Sequence, residues 1–109
     1  MNRQTLIWGL EELADRDFQE RVWLGKSDGE MSSFLEAVCA TFDDSRLGIV
    51  LESESKRAEL APDLREIAIK LRHLVKKVPQ GLSPLEEINH PAMQEVREIA
   101  GKMLVMLKT

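Results

Sequence analysis

Between Ser32 and Ser45 the chain reads Ser-Ser-Phe-Leu-Glu-Ala-Val-Cys-Ala-Thr-Phe-Asp-Asp-Ser, and no other stretch restricts the fold as tightly. Ser33, with Glu36 three residues on, is a capping-box start: the hydroxyl accepts from a first-turn N–H that has no partner within its own helix. After it, Phe34, Leu35, Ala37, Val38, Cys39, Ala40 and Phe42 leave only Glu36 and Thr41 polar before the end. A helix apolar on nearly every side is stable only where other elements surround it, so residues 33–44 are expected at the centre of a helical domain. The helix ends on Asp43 and Asp44, side by side, and Glu36 lies seven residues before Asp43, two turns back on the same face. The expectation is a buried rod with an acidic rim.

The segments on either side are helical by the same criteria. Leu6, Ile7, Leu10 and Leu13 recur at one-face spacing, with Trp8 flanking. Asp17 and Glu20 offer capping chemistry for a second helix through Phe18, Val22 and Trp23, which Gly25 stops. Lys26 to Glu30 is a polar turn. Leu47 to Leu51 is apolar enough for a buried strand, but no second strand exists to pair with it, so it is read as a short helix. Glu52 to Arg57 is a polar connection. Pro62 sits in a first turn, Leu64, Ile67, Leu71, Leu74, Val75 and Val78 form one stripe, and Lys76 and Lys77 suit the negative end of the helix dipole. Ser83-Pro84-Leu85-Glu86 repeats the capping box, and Asn89-His90-Pro91 opens a last helix whose stripe is Val96, Ile99, Ala100, Met103 and Leu107. Leu104, Val105 and Met106 lie off that stripe and are expected to be wrapped by other helices rather than exposed. All five aromatics fall in the first 42 residues, which predicts one aromatic cluster shared by the first three helices. The fold class expected is all-α: one domain over residues 1–109, a compact bundle of about five to six helices.

Charge is divided unequally. Residues 1–54 carry twelve Asp or Glu against five Lys or Arg, for −7, while residues 55–109 carry seven against ten, for +3. An acidic half repels nucleic-acid phosphates and attracts basic partners. Solubility is the plain alternative role for such charge. No apolar run approaches the roughly 18 residues that a membrane helix needs, and the opening Met-Asn-Arg-Gln-Thr leads into no signal-peptide core. A single cysteine, Cys39, allows no internal disulfide and suits a reducing compartment, so the expected location is the cytoplasm.

Groups for catalysis do not gather in the sequence. Cys39 with His73 or His90 is a conceivable nucleophile and base, but a thiol inside an apolar helix is ordinarily a small packed hydrophobe. Glu87 and His90 have the Glu-x-x-His spacing of di-iron bundles without the second copy that such sites require. There is no Gly-rich phosphate loop and no paired-cysteine metal motif. No enzymatic activity, cofactor or metal is expected. Arg65, Arg72 and Lys76 with Lys70 and Lys77 give the helix beginning at Pro62 a positive face; the alternative function class is thus a small helical regulatory or nucleic-acid-associated protein using residues 62–78. No aromatic side chain stands nearby to stack on bases.

One resemblance bears on function. Phe18-Gln19-Glu20-Arg21-Val22-Trp23-Leu24-Gly25, continuing through Glu30-Met31-Ser32-Ser33-Phe34 to Phe42-Asp43-Asp44-Ser45, resembles a pattern in small bacterial proteins of toxin-immunity loci. Ile88-Asn89-His90-Pro91-Ala92-Met93 is similar to their final-helix entry, and together the likeness spans about half the chain. It implies an immunity protein of a contact-dependent growth-inhibition or other polymorphic-toxin system, which binds a cognate toxin in the cytoplasm and blocks it. Many such toxins are nucleases with positive substrate grooves, to which an acidic inhibitor would be steered. On that reading Asp28, Glu30, Glu36, Asp43 and Asp44 are the candidate partner-binding residues.

Overall fold

Side-chain caps set most helix starts in the computed structural model, which describes residues 1–108. Asn2 accepts from Thr5 N at 3.1 Å and opens α1 (Arg3–Ala14). Asp15, not Asp17, opens α2 (Arg16–Phe18) by accepting from Phe18 N, because Asp15 is the residue with extended backbone. α2 runs on as a π-helical turn, Gln19–Trp23, and stops at Gly25 with φ +74°, a conformation that costs glycine little. Ser33 caps α3 (Phe34–Cys39) through Glu36 N at 3.1 Å, and α3 also continues as a π-helical turn, Ala40–Asp44. α4 (Leu47–Glu52) confirms the helical reading of that segment and is followed by a 3-10 turn, Glu54–Glu59. α5 (Pro62–Val75) carries Pro in its first turn, α6 (Pro84–Asn89) has the full reciprocal capping box of Ser83 and Glu86, and α7 (Pro91–Lys108) closes the chain. No strand occurs among the described residues. The fold is all-α, with more segments than the five to six expected because α2, α4 and α6 are short and separate.

α7 lies against α1, α5 and α6, and α1 in turn packs against α3 and its π-helical end. Leu6, Leu10 and Leu13 of α1, Ala68, Leu71 and Leu74 of α5, and Met93, Val96, Ala100 and Met103 of α7 form the central part of the core. The radius of gyration is 13.6 Å, near the roughly 13 Å expected of a folded chain of this length.

Three expectations change. The 33–44 helix does not sit at the centre but packs with one face only: Phe34, Ala37, Thr41 and Phe42 are buried, whereas Leu35 is 68% exposed and Val38 and Cys39 are half-buried. The last turns of α7 are not wrapped all round, since Val105 is 63% exposed. The aromatic residues are not one cluster: Trp23 and Phe34 meet edge to face at 5.9 Å and Phe42 is buried, but Phe18 lies beneath the Arg21 guanidinium and Trp8 is 59% exposed. In each case one side of an apolar helix has no neighbouring element, a fact set by packing and not by the helix's own composition.

Two contacts hold the α3 end in place. Gly9 of α1 meets Thr41 backbone to backbone, so that a Cβ on Gly9 would lie 2.8 Å from Thr41 N. Thr41 Oγ1 donates to Ala37 O, and buried Ser45 Oγ donates to Thr41 O and accepts from Leu47 N. The chain then turns through Arg46, whose φ of +69° is the left-handed conformation in a residue other than glycine.

Candidate partner-binding site

The Thr41–Ser45 hydrogen bonds fix the direction in which the end of α3 faces, and that end carries Asp43 and Asp44, while Glu36 stands in the first turn of the same helix. Glu36, Asp43 and Asp44 are all exposed, and each acts electrostatically on the half-buried Cys39 thiol between them. Burial of the sulfur pushes the thiol pKa up; the negative charge of Asp43, a hydrogen bond to it, and the charges of Asp44 and Glu36 push it further. Cys39 is therefore held as a neutral thiol, the opposite of what a nucleophile needs. None of the three carboxylates has an ion-pair partner among the described residues.

The other two candidates are placed differently. Glu30 pairs with Arg21 at 2.7 Å and accepts from Ser27 at 3.1 Å, which ties the glycine-containing turn to α2. Asp28 is exposed within that turn. The structure thus brings together Glu36, Asp43 and Asp44 around one sulfur, while Glu30 is already neutralised by a cation.

Beside the acidic rim, a groove of about 590 Å³ separates α3 from the end of α5 and the 79–81 connection. Phe34, Leu35 and Val38 line one wall, and Val75, Val78 and Pro79 the other. Lys76, Gln80, Gly81 and Glu87 of α6 complete the lining. Glu87 is half-buried, has no ion pair among the described residues, and its carboxyl pKa is raised by that burial. The sequence concealed this groove because its walls come from helices that are far apart in the chain.

The positive face of α5 is partly self-neutralised. Arg72 pairs with Glu52 of α4, whose pKa that hydrogen bond lowers, and Arg65 Nη1 donates to Arg57 O. Lys70 and His73 border a cleft that also contains Asp63 and Glu66. His90 Nδ1 accepts from Ala92 N at 3.1 Å, which occupies it in starting α7. No set of three or more His, Cys, Asp or Glu among the described residues is arranged to hold a metal ion, and no described helix is long and apolar enough to cross a membrane.

A buried polar cluster went unread in the sequence. Arg97, 9% exposed, donates to Gln19 Oε1 at 3.0 Å and to Ile88 O at 3.2 Å, and Gln19 Nε2 donates to Glu12 O and Leu13 O at the end of α1. Burial lowers the guanidinium pKa, with Arg16 acting in the same direction and Glu20 against it. The available signal was position: Arg97 lies four residues after Met93 and three before Ala100, on the inward face of α7. Its acceptors are one backbone carbonyl, Ile88 O, and the amide oxygens of Gln19 and Gln94, and the cluster joins α1, α2, α6 and α7. Its role is structural.

Compared with known proteins, the chain matches no family model, no curated protein and no solved structure.

Proposed function

We propose that this is a non-enzymatic binding protein, an immunity protein that acts in the bacterial cytoplasm and neutralises a cognate toxin domain through the acidic end of α3. The observation that carries the reading is the group formed by Glu36, Asp43 and Asp44, three exposed carboxylates that all act on the Cys39 thiol and have no ion pair among the described residues. Asp43 and Asp44 stand at the C-terminal end of the helix, where carboxylates are unfavourable because the helix dipole is negative at that end. A surface that concentrates charge at its own cost suits electrostatic recognition of a basic partner, which accelerates encounter and excludes wrong partners. A nuclease toxin has such a surface, and an inhibitor covering it competes with the phosphate backbone. Asp28 and Glu30 extend the acidic field along the preceding turn, Glu30 at reduced strength because of Arg21.

The test is co-expression with the toxin domain encoded in the adjacent reading frame. Co-purification in a defined ratio, with rescue of growth, supports the proposal. A toxin domain that neither binds nor is neutralised overturns it.

A further inference from the structure

The groove between α3 and the α5–α6 connection differs from the rest of the surface in three ways. Its walls are apolar on both sides, Leu35 and Val38 facing Val75 and Val78. Leu35 keeps most of its surface in water, although a side chain of that size is normally covered. Glu87, also in the lining, is a partly desolvated carboxyl with no ion pair among the described residues. A lysine or arginine laid across such a groove would rest its methylene stem on the apolar walls and bring its head to the carboxylate.

We infer that this groove is the anchor site for the basic partner: it receives an amphipathic segment whose apolar side chain enters between Leu35 and Val78 and whose lysine or arginine pairs with Glu87. The inference rests on the immunity reading for the basic character of that partner, and it adds the place where affinity resides. Charge on an exposed rim mainly sets the rate of encounter, whereas a desolvated apolar pocket ringed by polar groups is where interfaces concentrate their binding energy. Glu87 of α6 lines the groove together with Lys76, and of the two it is the carboxylate with which an incoming cation pairs. A second copy of this chain bound symmetrically on the same face would set one α3 carboxylate group against another, which disfavours self-association there.

The experiment uses the full chain labelled for NMR and a synthetic amphipathic peptide of Leu and Arg, with two control peptides carrying Glu for Arg or Ser for Leu. The Leu/Arg peptide is expected to shift the resonances of Leu35, Val38, Val75, Val78 and Glu87, and both controls are expected to bind at least about tenfold more weakly. Leu35→Asp is the deciding variant, since it adds negative charge at an exposed position. Groove docking predicts about tenfold weaker binding, whereas attraction by charge alone predicts tighter binding. Glu87→Gln is expected to weaken the Arg peptide while leaving the fold intact. Shifts confined to the Asp43–Asp44 end, tighter binding by Leu35→Asp, or groove shifts that follow protein concentration without peptide would each overturn the inference. The same variants are then assayed with the adjacent-frame toxin domain. Capture unaffected by Leu35→Asp and Glu87→Gln removes the groove and keeps the immunity reading; peptide binding in the groove with no toxin capture does the reverse.

Discussion

Gly9 and Thr41 meet where α1 crosses the π-helical end of α3, at a separation that leaves no room for a methyl group: a Cβ on Gly9 would lie 2.3 Å from Thr41 Oγ1 and 2.8 Å from Thr41 N. A glycine inside a helix ordinarily costs roughly 1 kcal/mol relative to alanine. Here the close approach outweighs that cost, because it seats the end of α3 that carries Asp43 and Asp44. Gly9→Ala is therefore expected to destabilise by about 2–3 kcal/mol, the penalty of overpacking against backbone, although propensity alone favours alanine. Urea denaturation checks the sign, and a stabilised variant would contradict the packing described.

Arg97 and Gln19 form a pair in which each partner satisfies the other's buried polar groups. Gln19→Leu leaves the guanidinium short of an acceptor, and Arg97→Met leaves Gln19 Oε1 without its donor; each is expected to cost about 2–3 kcal/mol. The double variant is expected to cost less than the two combined, since two apolar groups leave neither partner stranded. Equilibrium unfolding of the four proteins gives the coupling, and strict additivity would mean that the pair contributes nothing of its own.

Cys39 is expected to be a slow thiol. Burial and the neighbouring Asp43 raise its pKa, so iodoacetamide at pH 8 should alkylate it more slowly than free glutathione. Asp43→Asn removes a negative charge and a hydrogen bond and should speed the reaction. The same shift bears on stability: a raised folded pKa means that the contribution is present below the unfolded value and is lost as pH rises through the folded one. Alkylation as fast as glutathione, or unchanged in Asp43→Asn, would place the carboxylates elsewhere.

Glu87 offers a second pH test. Its carboxyl pKa is raised by burial in the folded protein, so the folded state holds the proton more tightly than the unfolded chain does. That contribution favours folding below the unfolded pKa and disappears as pH rises through the folded one. Glu87→Gln is thus expected to be at least as stable as the parent at pH 7, with any advantage closing as the pH is lowered below 4. Urea midpoints at the two pH values measure this. A variant clearly less stable at pH 7 would show that Glu87 already has a stabilising partner within the fold.

Features with local causes were legible in the sequence. Ser33, Ser83, Pro62 and Gly25 act on their own turn, and each starts or stops a helix as expected. The α-helical nature of Leu47–Glu52 followed from the lack of a strand to pair with it. Features that depend on a distant neighbour were not legible. The π-helical turns at Gln19–Trp23 and Ala40–Asp44 lie where buried Gln19 and Thr41 meet α1, and nothing in their composition marks them. Leu35 and Trp8 carry apolar side chains on helix faces that no other element covers, so hydrophobicity alone placed them inside. Of the candidate site, the Glu36–Asp43–Asp44 rim was visible from spacing, whereas the groove and Glu87 required α3, α5 and α6 to be brought together.

The central claim, that the acidic end of α3 is the recognition surface, is tested most directly by stopped-flow association with the adjacent-frame toxin domain at low and high salt. Neutralising Asp28, Glu30, Asp43 and Asp44 as their amides is expected to slow association by about tenfold or more at low salt and to flatten its salt dependence. Neutralising Lys70, Arg72, Lys76 and Lys77 should leave the rate close to that of the parent. The opposite pattern, with the acidic variants unchanged and the basic variants unable to bind, would contradict the account and assign recognition to α5.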